Sequence, residues 1–419
     1  MQRKPPIEEE GLFSLVDIEA RLLIKKKQTF KMNPFEIMSI PGKGRAMISQ
    51  KSFSVGDIIF EEEAFVSCQF SWNVAYGYLA CDHCMRPLET TEQNVRRLAS
   101  DQSLSVPFQE HDPTKQWLDH FCVCVQCGVK YCSEDCRVDA LKKYHKVACM
   151  GNFRQDDSHP INILNDTWKK MHYPPETGTI LLIVRIMAMY KQSKDKAAFL
   201  ETLKSFQSVF VNVEDQIVHK MLGANFESQM LELYKRFCNA FTDEEFSIFT
   251  TPDAFKSLMA LIGTNSQGIA TSSFAEWVKK VSDLTIPEEE KNKLESCIDD
   301  LYNKVGEFAG EFLNNEGSGL YQFQSKINHS CFPNAQSNFP YSNHIVVLKA
   351  LKDIQPGEEI CISYLDECQL DRSRHTRQAI LKENYLFVCS CPRCLEQIND
   401  PDETSEDDDD QDLVDDDDM

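Results

Sequence analysis

No apolar run in this 419-residue chain approaches the roughly 20 residues that a membrane span needs. The strongest stretch, TILLIVRIMAMY (179–190), is interrupted by Arg185 and reads as a buried helix. The N-terminus, MQRKPPIEEE, lacks the apolar segment of a signal peptide. No pervasive basic stripe is present, so direct nucleic-acid binding is not expected. KKK at 25–27 is too short for a nuclear import cluster, and both cytoplasm and nucleus remain as locations. These absences point to an intracellular, reducing setting without membrane partners, where disulfides are rare. Seventeen cysteines in such a setting call for metal. The net charge of −22 is uneven: residues 400–419 hold 13 acidic and no basic side chains, leaving −9 for the body. That tail cannot bury enough apolar surface to order itself. It reads as a solubilising tail or as a docking segment for a basic partner, such as a histone or ribosomal protein. The length suggests two to four domains.

The cysteines fall into metal-ligand spacing. CDHC gives Cys81 and Cys84, CVQC gives Cys124 and Cys127, CSEDC gives Cys132 and Cys136, and HKVAC gives His145 and Cys149. Structural zinc takes four tetrahedral thiolate or imidazole ligands, often from such close pairs, so four pairs make two sites. A third group, CSCPRC, holds Cys389, Cys391 and Cys394 and is one ligand short. Cys68, Cys122, Cys238, Cys297, Cys331, Cys361 and Cys368 remain to complete it, and Cys331 has the most suggestive context. It sits in KINHSCFPNA (326–335) as a nucleophile beside a histidine, a buried thiol or a metal ligand. A hydrolase needs an oriented base and an oxyanion hole. No Gly-rich loop adjoins Cys331, and His329 is expected to face away from it.

The pair order CxxC, CxxC, CxxxC, HxxxC resembles the MYND zinc finger. That resemblance implies interleaved sets: Cys81, Cys84, Cys132 and Cys136 on one zinc, and Cys124, Cys127, His145 and Cys149 on the other. Residues 85–123 form a gap that is long for the family and read as a loop-and-helix insertion. Cys122 is a rival for Cys124, while His83 and His120 read as exposed loop residues.

Downstream of KINHSCFPNA, IVVLKAL (345–351) and ICISYLD (360–366) read as strands, with DIQPGEE between them as a turn. NHSC, then PGEEICISY, then CxCxxC in that order resembles the SET-domain lysine methyltransferases. With the finger upstream, the chain resembles the SET and MYND domain-containing family over roughly residues 35–400. Its layout is closest to a member with an acidic tail and no C-terminal helical repeat domain. The resemblance implies an α+β fold: a SET β-fold with a pseudoknot, an inserted MYND finger, a large helical insert and a post-SET zinc site. It implies S-adenosylmethionine as cofactor and three structural Zn2+. In PGKGRAM (41–47), Gly42 and Gly44 match the turn that lets the backbone approach the cofactor, and Lys43 matches a contact to its methionine part. Arg45 and Ala46 depart from the usual Leu and Phe. Asn265, Ser325, Asn328 and His329 match cofactor-binding positions, Phe387 the aromatic that covers the adenine, Tyr364 the catalytic tyrosine and Cys331 the fourth ligand of the third zinc. Phe332, Phe339 and Tyr341 are further candidates for the lysine channel.

The same resemblance divides the chain into an N-terminal extension (1–34), a first SET segment (35–80), the finger (81–149), a helical insert (150–315), the SET core (316–370), a post-SET zinc segment (371–398) and the acidic tail (399–419). With about 25 residues after Cys394, a more open substrate cleft is expected than in members with the repeat domain. The function expected is lysine methylation of a basic protein by a monomer, with a proline-rich peptide as a partner of the finger. The contrasting expectation is a zinc-bearing interaction module with a silent SET fold.

Overall fold

The computed structural model describes residues 34–401, except 42, 172–178, 213–216, 220–222, 224–225 and 311–313. Gly42, nearly all of the N-terminal extension and nearly all of the acidic tail thus lie outside the described residues. Among the described residues no helix is long and apolar enough to cross a membrane.

Three small sheets carry the β-fold. The first has the order β1 (Phe35–Ile40), β2 (Gly44–Ser49), β14 (Glu359–Ile362) and β11 (Asn328–His329). The hairpin β1–β2 turns through Lys43, whose N–H donates to the Ile40 carbonyl at 3.1 Å. Gly44 closes that turn at φ 74°, in the left-handed region that glycine enters without a Cβ penalty. β11 runs parallel to β14, pairing Asn328 with Cys361 and His329 with Ile362. The second sheet has β4 (Val66–Gln69), β10 (Asn315–Leu320) and β9 (Gln267–Thr271), and the third has β12 (Ala335–Asn338), β13 (Ile345–Ala350) and β3 (Ile58–Glu63). Two short ribbons, β5–β6 (Cys122–Val123 and Lys130–Tyr131) and β7–β8 (Val211–Asn212 and Ile217–Val218), complete the strands described. The apolar sides of the first and third sheets share one core, with Met47, Phe53, Ile59, Ile327, Leu348, Ile360 and Ile362 buried together.

Helix α1 (Thr91–Leu98) lies in the long gap between the first two cysteine pairs. Its start is fixed by a capping box, Thr90 with Gln93. It packs against α8 (Ser273–Ser282) and α9 (Glu288–Ala309) around Val95, Leu98, Trp277 and Leu301, a satellite core that no single segment could bury alone. Between them run α2 (Glu134–Ala140), α3 (Pro160–Lys169), α4 (Ile180–Gln192), α5 (Lys196–Lys204), α6 (Glu227–Ala240) and α7 (Pro252–Asn265). α4 is buried on most sides, as its composition requires. Its Arg185 donates from Nη2 to both carboxylate oxygens of Asp82 at 3.0 Å and lies over the Tyr144 ring, so the charge inside the apolar run is spent on the CDHC turn. α10 (Arg374–Tyr385) ends where Leu386 turns left-handed at φ 64°, and α11 (Pro392–Glu396) follows the last cysteines.

The second sheet depends on Gly317. A Cβ there would lie 2.2 Å from the Cys68 carbonyl oxygen and 2.9 Å from Gln69 Cα, both backbone atoms. Gly317→Ala is therefore expected to cost about 3 kcal/mol, near the upper end for overpacking. Gly357→Ala, at φ 88° with nothing within 4 Å, should cost only about 1 kcal/mol. Thermal unfolding of the two variants checks the order; equal melting temperatures would contradict it.

Candidate active site

Three groups of four metal-ligand donors assemble, each with its ligand atoms within 4.8 Å of one another: Cys81, Cys84, Cys132 and Cys136; Cys124, Cys127, His145 and Cys149; and Cys331, Cys389, Cys391 and Cys394. The first two are interleaved in sequence. The CDHC turn closes through Met85 N–H to the Cys81 carbonyl at 2.8 Å, and the Ser133 hydroxyl caps α2 by accepting the Cys136 N–H at 3.2 Å. In the second set, the Gly128 N–H bonds the Cys124 carbonyl at 2.8 Å, and a helical turn brings His145 and Cys149 to one side. Cys122 is left out, with its thiol on the Ser133 carbonyl at 3.3 Å. Tetrathiolate and three-thiolate-one-imidazole sets suit tetrahedral zinc with no open position. His120 is exposed as expected. His83 is not: it is 6% exposed. The reason is its place inside the CDHC turn, which packs against the sheets rather than standing in solvent.

In the third set, Cys331 Sγ lies 3.6 Å from Cys394 Sγ. Two residues that the sequence did not single out hold it. Arg377, fully buried on α10, donates from Nε to Cys331 Sγ at 3.4 Å and from Nη2 to Gln397 Oε1 at 2.7 Å. Gln378 exchanges hydrogen bonds with the Cys389 backbone at 2.7 and 2.8 Å. Within RSRHTRQ nothing in the spacing separates Arg377 from a surface cation. Its guanidinium compensates negative thiolate charge in a dry site.

His329 faces Cys331 rather than away from it, with Nε2 3.3 Å from Sγ. Residues two apart in extended chain share a face, which is the physical reason. A hydrolase still does not result. Cys331 is 3% exposed and surrounded by three other thiols, and His329 Nδ1 accepts the Tyr364 N–H at 3.0 Å instead of an orienting carboxylate's support. Burial pushes the His329 imidazole down to about 4, so it stays neutral.

Glu359 joins two of the expected cofactor residues. Its carboxylate accepts from Lys43 Nζ and from Asn328 Nδ2, each at 2.8 Å. The first bond holds the Lys43 ammonium above its ordinary pKa. Asn265 behaves differently: its amide bonds the Leu261 carbonyl and both backbone groups of Gln207, so it clamps the chain. Its neighbours Thr264 and Ser266, with Gln324 and Ser325, each have a buried side-chain oxygen with no partner among the described residues. Gln324 Nε2 links these two segments through Gln267 Oε1 at 2.8 Å. Such orphaned oxygens fit a polar ligand, since buried polar groups are otherwise satisfied.

Tyr364 lies two residues past the end of β14, and its hydroxyl donates to the Ile327 carbonyl at 2.7 Å. Burial pushes its pKa up, so the hydroxyl is protonated at neutral pH. Around it stand Tyr385, with ring centroids 4.7 Å apart, His329 at 5.4 Å and Phe387 at 6.2 Å. Tyr385, pushed up to about 12 by burial, was not legible as a site residue; its only signal was its place two residues before Phe387. Of the other aromatic candidates, Phe332 is 61% exposed, Tyr341 bonds Glu61 at the surface, and Phe339 packs on Tyr321.

The SET domain family model matches residues 44–365. The chain is 48% identical over 364 residues to the protein-lysine N-trimethyltransferase SMYD5 of Gallus gallus, covering 87% of this chain and 86% of that protein. It is 46% identical to the Homo sapiens protein of the same name, covering 87% of each. A SET and MYND domain-containing protein of Dictyostelium discoideum is 25% identical over 390 residues, covering 92% of this chain and 89% of its own length.

Thiol accessibility follows from this geometry. Brief alkylation of the native protein should label exposed Cys368 first and leave Cys331 unmodified, as peptide mass spectrometry would show. Rapid labelling of Cys331 would contradict the metal-ligand assignment.

Proposed function

The chain belongs to the SET and MYND domain-containing protein-lysine methyltransferases, and we propose that it methylates lysine in an exposed basic protein segment, such as a histone or ribosomal protein. The activity is S-adenosylmethionine-dependent protein-lysine N-methylation. The observation that carries the site reading is one short stretch, 328–331: Asn328 meets Glu359 and Lys43, His329 holds the Tyr364 backbone, and Cys331 enters the third metal set. On this reading Lys43, Gly44, Ser325, Asn328 and Phe387 surround the cofactor, and Asn265 supports segment 205–207 behind it. The three cysteine-rich sets hold structural zinc, and the first two form the MYND finger. Exposed Phe121, Val123 and Val125 on the finger suit a proline-rich partner.

The cofactor supplies an electrophilic methyl group on a positive sulfonium. The protein's own contribution is alignment and desolvation. A lysine amine, with a pKa near 10.4 in water, must be neutral to attack, and an apolar aromatic wall favours that form. Tyr364, Tyr385 and Phe387 provide such a wall. The Tyr364 hydroxyl, being protonated, orients rather than abstracts a proton. The body's charge of −9 attracts a basic substrate over distance. The relatives' names include trimethyl transfer, and we extend that to this chain.

Incubation of the purified protein with labelled cofactor and basic protein substrates, read by mass spectrometry, tests the reading. Tyr364→Phe is expected to lower transfer by about a hundredfold, the scale of one positioned hydroxyl at a reacting centre. Transfer undiminished in that variant would overturn the catalytic assignment. Elemental analysis should find three zinc ions that resist mild chelation, one for each cysteine-rich set.

A further inference from the structure

Glu63, His83 and His344 form a group that neither the lysine-methylation site nor the cysteine clusters use. Their ligand atoms lie within 4.8 Å of one another. Nε2 of His83 and Nε2 of His344 approach the same oxygen, Glu63 Oε1, at 4.0 and 3.9 Å. The three residues come from separate parts of the fold: the end of β3, the CDHC turn and the residue before β13. Both imidazoles are at least nine-tenths buried, whereas Glu63 reaches solvent.

The hydrogen bonds fix where the imidazole protons sit. The Ser67 hydroxyl donates to the His83 carbonyl at 3.3 Å, so it accepts from His344 Nδ1–H at 2.8 Å. The Tyr144 hydroxyl donates to Asp82 at 3.2 Å, so it accepts from His83 Nδ1–H at 3.4 Å. Each ring therefore carries its proton on Nδ1 and turns an Nε2 lone pair toward Glu63. Two lone pairs and a carboxylate oxygen converge with no donor of their own between them. Hydrogen bonds from Nδ1 that orient Nε2 are the usual arrangement of metal-binding histidine.

We propose that these residues bind a divalent zinc-class cation as a two-histidine, one-carboxylate site separate from the thiolate clusters. Tetrahedral bonds of about 2.0–2.2 Å place ligand atoms about 3.4 Å apart, so metal entry needs a closure of about half an ångström onto Glu63 Oε1 and of at most about 1.4 Å between the two imidazoles. A cavity of about 10 Å³, lined by Ser67, Lys143, Tyr144 and Met189 beside the two histidines, leaves room for one water as the fourth ligand. Lys143 is the built-in competitor. Its ammonium lies 2.6 Å from Glu63 Oε1, and its exposed stem lets it swing away when a metal enters. The bound ion would fasten the CDHC turn to the sheet edge, adding to the His344 N–H bond to the Cys84 carbonyl at 2.8 Å.

The test uses the full chain with its cysteine-bound zinc in place, after brief chelation to remove weakly held metal. Co2+ is then titrated by calorimetry and visible absorption. The expected result is one added equivalent, with d–d absorption and no thiolate-to-cobalt charge transfer. Glu63→Gln, at an exposed side chain that folding tolerates, should weaken this binding by about tenfold or more, as should His344→Gln. Lys143→Ala should tighten it. Absence of an added equivalent, thiolate charge transfer in its spectrum, or unchanged affinity in Glu63→Gln would overturn the proposal.

Discussion

Everything at the site depends on the parallel pairing of Asn328–His329 with Cys361–Ile362. Two residues make the pairing, and Ser330 extends it with an N–H bond to the Ile362 carbonyl at 2.9 Å. That alignment lets His329 take the Tyr364 N–H once the strand ladder has ended. It also leaves Ile327 where its carbonyl receives the Tyr364 hydroxyl at 2.7 Å. Cys331, two residues on, enters the thiol cluster that α10 and the last cysteines complete. A small strand pair thus fixes Tyr364 from both its backbone and its hydroxyl. Such short pairings are marginal alone and need the packing around them.

The CDHC turn is joined to the neighbouring sheet and helix by polar contacts in dry surroundings. Arg185 reaches Asp82 from the middle of an apolar helix, and its Nη1 also donates to backbone carbonyls of Ser67 and Asp82. A buried ion pair of this kind is a weak source of net stability but a strong source of register, because breaking one side leaves the other charge unpaired. The CDHC turn is consequently held in one orientation against β4 and α4.

Much of this was legible from residue spacing. The three ligand sets, the strands within 58–69 and 345–362, and the helix at 180–192 follow from short-range pattern, because ligand spacing and apolar period are local constraints. Side-chain direction was less legible. Asn265 turns to Gln207 and His83 is buried, each decided by partners far along the chain, whereas His329 turns to Cys331 through the local extended backbone. Arg377 and Glu359 were missed for the same reason: a charge in a polar-looking segment gives no local sign that it is buried against sulfur or shared between two donors.

On the proposed reading, metal binding at the third cluster and cofactor binding share the segment 328–331. Calorimetric titration of S-adenosylmethionine into Cys331→Ser measures that link directly, with zinc content determined on the same sample. Loss of one zinc together with about tenfold weaker cofactor binding, roughly 1.4 kcal/mol, is the predicted result. Loss of the zinc with unchanged cofactor affinity would contradict the coupling.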